Sequence, residues 1–418
     1  MNILIIANSV WDDNNSLGNT LSNWFSGWED CNFSCITYRS DIPNNKCCNN
    51  YYVVSPFEIL KNICTPGKIG LRYNSNSIPT GFNKIEVGAK GITGIKRSVI
   101  RTAIDFIYRL PLWRNARYKR FIRDINPDII FLFAVADSFV YENVKYLKKN
   151  TKAKIVVSVE DDVYGAVAEK KCILPIIEKN RLKKIIQIAD KLYGASQLMC
   201  EAYSKQFNRD FFPIYKGCEF HEIKQMVNNP IEIVYAGNLL YGRLDTLSKI
   251  ANAIRKINSN NLLFRLSIYS GTKVNDDALR CINDGESVFF CGLKPFEEIK
   301  EILNKSDITL HVESFLPEMQ KLVRYSFSTK IIDCLQSGNT MMVVGPQNIA
   351  SVEYPRSIPG AIVVDNTDKL YDVFNNIART PKALLESAKS INQYAKEHLD
   401  IKNVRERLRR DFENLLKN

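Results

Sequence analysis

The sequence predicts an α/β protein of two doubly wound domains that face a cleft, each a parallel sheet covered by helices on both faces. Short apolar, β-rich runs alternate with helical repeats along the whole chain. This alternating order implies parallel sheets. The 418 residues exceed what one core fills and indicate roughly two to three domains.

The elements of the first half follow from residue type and spacing. Runs rich in Val, Ile, Phe and Tyr predict strands, and apolar residues three or four apart predict helices. The predicted strands are residues 2–7, 33–38, 51–54, 128–134, 154–159 and 191–195. The predicted helices lie near residues 16–28, 95–110, 114–125, 175–190 and 197–207. Together they define a first Rossmann-like domain, residues 1–212.

The second half repeats the pattern after an interruption at residues 213–230, which contain Pro213, Gly217 and Pro230 and predict a hinge. The predicted strands are residues 231–236, 263–269, 287–290, 307–312, 340–344 and 361–364. The predicted helices lie near residues 244–257, 296–303, 329–337, 367–378 and 382–397. We expect a second Rossmann-like domain at 231–400 and a C-terminal helix, 401–418, that packs back toward the first domain.

Composition narrows the class of protein. Apolar residues make up 45% and charged residues 24%, as in soluble globular proteins. No apolar run approaches the ~20 residues that span a bilayer, and the N-terminus reads as a strand and not as a signal peptide. Eleven cysteines without a Cys-x-x-Cys pair indicate a reducing compartment, hence the cytoplasm. Three scattered histidines argue against zinc and against a Ser-His-Asp hydrolase.

The net charge of +12 is concentrated in residues 84–123, where eleven basic residues face only Glu86 and Asp105. A helix there carries apolar residues on one side and arginines on the other. Such a helix can lie on an anionic membrane surface, with Trp113 and Tyr118 near the headgroups. A core-packed helix with a solvated basic face fits the same pattern. No nucleic-acid motif accompanies the charge, so nucleic acid is not an expected partner.

The segment from Arg324 to Val344 predicts an anion site. Ser328 is the expected N-cap, because its hydroxyl can accept an amide N–H of the first helical turn. Arg324 and Lys330 add positive charge to the helix start, which suits a phosphate or diphosphate. Asp333 should lie on the same side, within reach of a sugar hydroxyl. An ordinary capped surface helix would show the same residues.

A strand, a glycine-containing turn and a helix recur at residues 231–254. Gly237 and Gly242 let the backbone approach a phosphate, and Arg243 stands at the helix start. The turn lacks the Lys-Ser/Thr that follows a P-loop, which excludes that motif. Ligands of open α/β sheets bind beyond the carboxyl ends of the strands, so both predicted anion sites should face one crevice. For Arg243 alone, a solvated helix-end residue is the alternative.

These segments resemble GT-B-fold glycosyltransferases. The resemblance lies in Gly-Asn-x-x-x-Gly-Arg from Gly237, the late strand 307–313, and Ser-Phe-Ser-Thr-Lys-Ile-Ile-Asp-x-Leu-x-Ser-Gly at 326–338. Within that fold the chain is most similar to the retaining, nucleotide-sugar-dependent, family 4-like group that builds bacterial capsules, O-antigens and exopolysaccharides. The order of elements matches over most of the chain, whereas the specific motifs lie almost wholly in the second half.

The resemblance implies transfer of a sugar, of the hexosyltransferase type and with retention, from a nucleotide-diphosphate sugar to a glycan or polyprenyl-diphosphate-linked acceptor. It gives Arg243 and Lys330 the donor diphosphate and a catalytic role, and Asp333 the ribose. Tyr325 replaces the first glutamate of the Glu-x7-Glu signature, so Glu313 is predicted to hold the sugar hydroxyls. The implied donor pocket is completed by turn residues, with the base against the last two: Gly237, Asn238, Ser328, Thr329, Gly292 and Leu293.

In the first domain, the resemblance places Gly18 and Asn19 in the donor and acceptor loop after the first strand. It places Asp161, in the acidic run 160–162, near the reacting carbon as a catalytic residue. A plain strand-end turn is the alternative for this run. We expect no required metal or other cofactor, because cations and helix N-termini would do the work of a metal.

Three other functions stay open at this point. A nucleotide-sugar epimerase shares the architecture, a non-catalytic nucleotide-sugar-binding protein fits the missing glutamate, and a membrane-surface scaffold fits residues 84–123. The expected location is the cytoplasm, with peripheral attachment to the inner face of the bacterial cell membrane.

Overall fold

A computed structural model describes residues 1–39, 41–75, 95–168 and 173–417. The chain divides into two compact units. The first contains Met1–Ile214 with Arg405–Asn418, and the second contains Tyr215–Val404. Residues 84–94 of the basic segment lie outside the described residues.

The described residues of the first unit form an eight-stranded sheet in the order β4-β3-β2-β1-β5-β6-β7-β8, parallel except for the antiparallel pairing of β3 with β4. Its strands are β1 (Asn2–Ile6), β2 (Asn32–Thr37), β3 (Cys48–Val53), β4 (Leu71–Asn74), β5 (Ile129–Phe133), β6 (Lys154–Val159), β7 (Lys191–Gly194) and β8 (Phe212–Pro213). Its helices are α1 (Ser16–Phe25), α2 (Pro56–Lys61), α3 (Ile95–Arg109), α4 (Ala116–Ile125), α5 (Ser138–Asn150), α6 (Val163–Ala168), α7 (Ile173–Ile188) and α8 (Gln197–Phe207).

The second unit has a six-stranded parallel sheet in the order β11-β10-β9-β12-β13-β14. Its strands are β9 (Ile231–Ala236), β10 (Phe264–Tyr269), β11 (Val288–Gly292), β12 (Ile308–Val312), β13 (Thr340–Val344) and β14 (Ile362–Val364). Its helices are α9 (Arg243–Ile257), α10 (Asp276–Ile282), α11 (Phe296–Lys305), α12 (Pro317–Val323), α13 (Lys330–Gln336), α14 (Ala350–Arg356), α15 (Leu370–Arg379) and α16 (Ala383–Leu399). A last helix, α17, covers Ile401–Lys417.

The two cores are built from different side chains. In the first unit, aromatic rings cluster between sheet and helices: Phe25 lies 5.3 Å from Phe131 and 6.0 Å from Phe412 of α17. In the second, aliphatic residues on both sheet faces fill the core, among them Ile233, which is fully buried. The central strands β1, β5 and β6 of the first sheet and β12 and β13 of the second bury nearly every residue, as expected of parallel strands covered on two faces, whereas the outer strands β4, β11 and β14 are largely accessible.

The predicted fold class is confirmed, while several elements differ from expectation. The pattern did not reveal the strands β4 and β8 or the helices α2, α5, α6, α10, α12 and α14. Helix α5 shows why: its buried residues include Phe139, Val140 and Val144, which favour strands, and packing overrides that preference. Ser328 was predicted to be the N-cap of α13, and this prediction is wrong. Helix α13 begins at Lys330, and its N-cap residue is Thr329, whose side chain makes no capping hydrogen bond. The Ser328 N–H instead donates to Ser351 Oγ at 2.9 Å.

The basic segment also packs differently from the prediction. The expected core side of α3 is exposed at Val99 and Ile100, whereas Ile107 is buried. Trp113 and Tyr118 are fully buried in the aromatic core, so they cannot reach lipid headgroups. Among the described residues, no helix combines the length and apolarity that a bilayer crossing requires.

Candidate functional site

A cavity of about 640 Å³ opens in the second unit beyond the carboxyl ends of β9, β10 and β11. Loop residues Gly237–Asn238, Ser270–Thr272 and Leu293–Lys294 form one wall, and side chains of α11 and α13 form the other. Strands β9 and β12 are neighbours, and the chain leaves them toward opposite edges of the sheet. The cavity therefore lies at the topological switch point, where doubly wound sheets bind ligands.

Lys330 supplies a cation to this cavity from the first residue of α13. Its side chain lies against Gly237, since a Cβ built there would come within 2.6 Å of Lys330 Cε. Burial lowers the pKa of Lys330, and the charge of Arg243 adds to the effect. A bound anion would raise this pKa again, because a nearby negative charge favours the charged ammonium.

Asp333 lines the same cavity one helical turn further along α13. Burial raises the pKa of its carboxyl group, although the charges of Lys216, Lys330 and Lys300 oppose this rise. The carboxylate thus lies near three lysines. It is placed to accept a hydrogen bond from a hydroxyl group of a ligand.

The guanidinium of Arg243 lies beneath the cavity wall and is not part of the lining. Nε donates to Val312 O at 3.2 Å, Nη1 to Asn238 Oδ1 at 2.8 Å, and Nη2 to both carboxylate oxygens of Glu313 at 3.1 Å. Asn238 does line the cavity. Arg243 is therefore tied to the cavity wall through Asn238, whereas the sequence predicted that it contacts the donor diphosphate directly.

Glu313, which the sequence predicted to contact the donor sugar, is buried under the same wall. Its carboxylate holds Arg243 and lies 3.0 Å from His311 Nε2. Burial alone would raise the pKa of Glu313, but the His311 hydrogen bond and the Arg243 charge lower it. Burial lowers the pKa of His311, so a neutral ring can donate Nε2–H to this carboxylate.

The predicted base turn contributes one exposed side chain to the cavity. Leu293 is 78% exposed and follows Gly292, whose φ of +69° suits glycine. Across from it, Phe296, Ile299 and Leu303 follow one face of α11 and give the cavity an apolar side. An aromatic base would bury this surface.

The predicted residues of the first unit lie at the carboxyl end of its own sheet. Gly18 sits inside α1 against Asp12, whose carbonyl oxygen lies 2.1 Å from a Cβ built at Gly18. The Asn19 N–H donates to Asn15 O at 2.9 Å within the same helix. Asp161 follows β6 and is exposed.

Several residues that shape these regions were not predicted. Lys216 falls in the segment taken as a hinge, and Lys300 on a helix with no motif. Beside Asp161, burial raises the pKa of Glu160 to about 7 despite a hydrogen bond of 2.5 Å from Ser158 Oγ. The position of Glu160 in an acidic run could be seen in the sequence, but its burial could not.

Among the described residues, no group of three or more His, Cys, Asp or Glu side chains is arranged to hold a metal ion.

Comparison with known proteins yields a structural likeness only. No protein-family model and no curated protein sequence matches the chain. A sucrose-phosphate synthase from Thermosynechococcus elongatus superposes with a TM-score of 0.63 at 13% identity, covering 99% of each chain. HepE of Anabaena in complex with UDP gives 0.63 at 10% identity, over 99% of this chain and 100% of that one. A trehalose-6-phosphate structure from E. coli bound with UDP-2-fluoro glucose gives 0.62 at 10% identity, over 98% of each chain.

These matches extend over both sheets and define the class of fold. The chain has the GT-B fold, two Rossmann-like α/β domains with parallel sheets.

Proposed function

We propose that the protein is a glycosyltransferase that moves a sugar from a nucleotide-diphosphate sugar to a glycan or lipid-linked acceptor. The observation that carries the proposal is the convergence of Lys330, Asp333 and Gly237–Asn238 on one cavity at the switch point of the second sheet. Two of the similar structures hold UDP or a UDP-sugar analogue, which favours UDP as the nucleotide.

In this proposal each wall of the cavity binds one part of the donor. Lys330 and the Asn238 amide bind the diphosphate, with Arg243 fixed behind them. Asp333 accepts a hydrogen bond from the ribose. The apolar side of α11 and the turn at Gly292–Leu293 cover the base. Glu313 could contact the sugar only if its carboxylate released Arg243. We therefore assign Glu313 the role of holding Arg243 in place.

The chemistry follows from charge. Cleavage of a glycosyl phosphate bond leaves negative charge on the departing nucleoside diphosphate, and fixed positive groups stabilise it without reorganisation. The interaction of the Lys330 ammonium with this charge should be the strongest, because the ammonium is already partly desolvated before the charge develops. In the first unit, Gly18 lets the donor and acceptor loop pack against Asp12, while Asn19 stays proposed for that loop and Asp161 for a place near the reacting carbon. Glu160 joins them, because a carboxyl group with a pKa of about 7 suits proton transfer at neutral pH.

The finer assignment is a family 4-like, retaining hexosyltransferase of capsule, O-antigen or exopolysaccharide synthesis. It rests on the sequence resemblance at residues 237–243 and 326–338. A polyprenyl-diphosphate acceptor would place the enzyme in the cytoplasm, at the inner face of the cell membrane.

Titration calorimetry with UDP, GDP and TDP tests the donor site directly. We expect one nucleoside diphosphate to bind, UDP first, and the matching nucleotide sugar to be consumed when a lipid-linked acceptor is added. Release of UDP with a lengthened acceptor identifies a transferase, and an isomerised nucleotide sugar identifies an epimerase. Binding without turnover on either substrate identifies a non-catalytic binding protein. Failure of all three nucleotides to bind would refute the donor site.

A further inference from the structure

An apolar surface lies on the first unit, outside the regions that carry the proposed reaction. Phe57, Leu60 and Ile63 follow at three-residue spacing along α2 and its end, and they are 59%, 53% and 49% exposed. The neighbouring Ile59 is fully buried, so α2 is anchored through one side only. Adjoining large apolar side chains on a surface mark an interaction site more often than isolated ones do.

Helix α3 packs against α2 and carries exposed apolar side chains of its own. Tyr108 Oη of α3 donates to Val54 O, just before α2, at 2.8 Å. On its exposed side α3 carries Val99 and Phe106, each 61% exposed. The surface therefore spans two helices, fixed to each other by a buried hydrogen bond.

Cations border this surface on the side of α4. Lys61, Lys68 and Arg117 are exposed, and Arg117 Nη1 donates to Lys68 O at 3.4 Å, which places the start of α4 beside the turn after α2. Helix α4 exposes three more basic residues on its outer side: Lys119, Arg120 and Arg123. Over the described ranges, none of these six cations forms an ion pair with a carboxylate, although the charges of Arg117 and Lys61 oppose the rise that burial causes in the pKa of Glu58.

The acidic groups of the region are already engaged. Glu58 of α2 is partly buried and accepts a hydrogen bond from the backbone N–H of Gly70. Asp124 pairs with Arg72 at 2.6 Å. The border of the apolar surface therefore presents a net positive charge to the solvent.

We propose that this surface, α2 with the exposed side of α3 and the start of α4, binds an anionic lipid bilayer. Phe57, Leu60 and Ile63 enter the headgroup region, and Lys61, Lys68 and Arg117 bind lipid phosphates. A second copy of this chain is disfavoured, because it would bring like charges face to face. The proposal rests on the proposed function in one respect only: a lipid-linked acceptor gives the protein a reason to be at a membrane.

Vesicle flotation tests the surface with the full-length protein. We expect flotation with vesicles of equal parts phosphatidylcholine and phosphatidylglycerol at low salt, weaker flotation at high salt, and none with phosphatidylcholine alone. The double variant Phe57→Ser/Leu60→Ser should lower the bound fraction about tenfold, because insertion scales with apolar area. Lys61→Glu/Lys68→Glu should lower it by a similar factor and weaken the dependence on salt, since four of the six bordering cations remain.

Matched controls come from elsewhere in the first unit. Ile42→Ser removes an equally exposed apolar residue, and Lys145→Glu/Lys149→Glu reverses two exposed charges of α5. Both controls should float like the unaltered protein. The proposal fails if that protein does not float, or if Phe57→Ser/Leu60→Ser floats equally well. It also fails if that variant changes the mass of the free protein by light scattering, because the surface then joins two copies.

Nucleotide binding separates this proposal from the proposed function. All the surface variants should bind UDP like the unaltered protein, since every altered residue lies in the first unit. Flotation without any nucleotide binding would leave the lipid surface in place and refute the transferase. UDP binding without flotation would refute the lipid surface and leave the nucleotide site of the proposed transferase in place.

Discussion

The two units share a winding order but differ in charge at the carboxyl ends of their strands. In the second, Lys330 lines the cavity, and burial lowers its pKa. In the first, Asp137 and Glu160 follow β5 and β6, and burial raises their pKa values to about 6 and about 7. One edge therefore presents a buried cation, and the other presents carboxyl groups whose pKa values are raised toward neutrality. The same sheet topology thus supports two chemistries, set by residues grafted onto its loops.

The glycines after the first strand of each sheet sharpen this difference. Gly18 makes room for the backbone of Asp12, whereas Gly237 makes room for the flexible end of the Lys330 side chain. Gly18 therefore serves packing, and Gly237 serves the position of a charge. Sequence alone shows a glycine in both places.

Removal of a buried arginine from each unit should give the largest effects. Arg243→Ala leaves Glu313 without its cation. Arg181→Ala removes the bonds of 2.6 and 3.0 Å that hold Asp105 but leaves the ion pair of Asp105 with Arg109 at 2.7 Å. Arg243→Ala should cost about 3–5 kcal/mol of unfolding free energy, measured by urea denaturation, and Arg181→Ala should cost less because Arg109 still pairs with Asp105. Only Arg243→Ala should also weaken UDP binding in calorimetry. Equal loss of UDP affinity in folded Arg181→Ala would show that the units do not divide the work as proposed.

Lys330→Ala should affect turnover and leave stability unchanged or improved. Without the Lys330 ammonium, the proposed diphosphate site lacks its nearest cation, which should raise the barrier by about 2.7–4 kcal/mol, roughly a hundred- to a thousandfold in rate. Stability should not fall, because burial already disfavours this charge. Steady-state kinetics and thermal melting measure the two effects. Lys321→Ala, an exposed lysine of α12, is the control and should keep both values. A fast Lys330→Ala enzyme would rule out the catalytic role.

The two glycines give opposite expectations for one substitution. Gly18→Ala should destabilise the protein by about 1–3 kcal/mol, because backbone at 2.1 Å cannot yield. Gly237→Ala should cost less stability, because the atoms nearest the new Cβ are side-chain atoms, Lys330 Cε at 2.6 Å and Tyr235 Oη at 2.9 Å, but it should weaken UDP binding about tenfold. Denaturation and calorimetry on both variants check the pair. If Gly18→Ala weakened UDP binding instead, the glycine comparison would be wrong.

The sequence predicted what periodicity and motif encode, the two parallel sheets and the segments that form the cavity. Lys330 and Asp333 could be placed because α13 directly follows a recognisable polar turn. The tie between Arg243 and Glu313 could not, because it joins residues 70 positions apart through the register of β9 with β12. Burial of Trp113 was likewise missed, since a tryptophan in a basic segment fits both a lipid surface and a core.

The smallest expected effects compare one carboxylate from each unit. Burial raises the pKa of Asp333 above its ordinary 3.8 and that of Glu160 from 4.5 to about 7. Below the ordinary values both groups are protonated in the folded and unfolded chain, so neither affects stability. Above the folded values the buried carboxylates are ionised at a cost that the unfolded chain avoids. Asp333→Asn and Glu160→Gln should therefore raise stability at pH 8, and the gain should shrink as the pH falls through each folded pKa toward 4.

Function should distinguish the two variants where stability does not. Asp333→Asn should weaken UDP binding by about 1 kcal/mol, because an amide oxygen accepts a ribose hydrogen bond less strongly than a carboxylate does. Glu160→Gln should bind UDP normally and instead alter the pH dependence of turnover near 7. Calorimetry at pH 8 and rate profiles from pH 5 to 9 measure both. Unchanged UDP affinity in Asp333→Asn would move the ribose contact elsewhere in the cavity while leaving the diphosphate site at Lys330 intact.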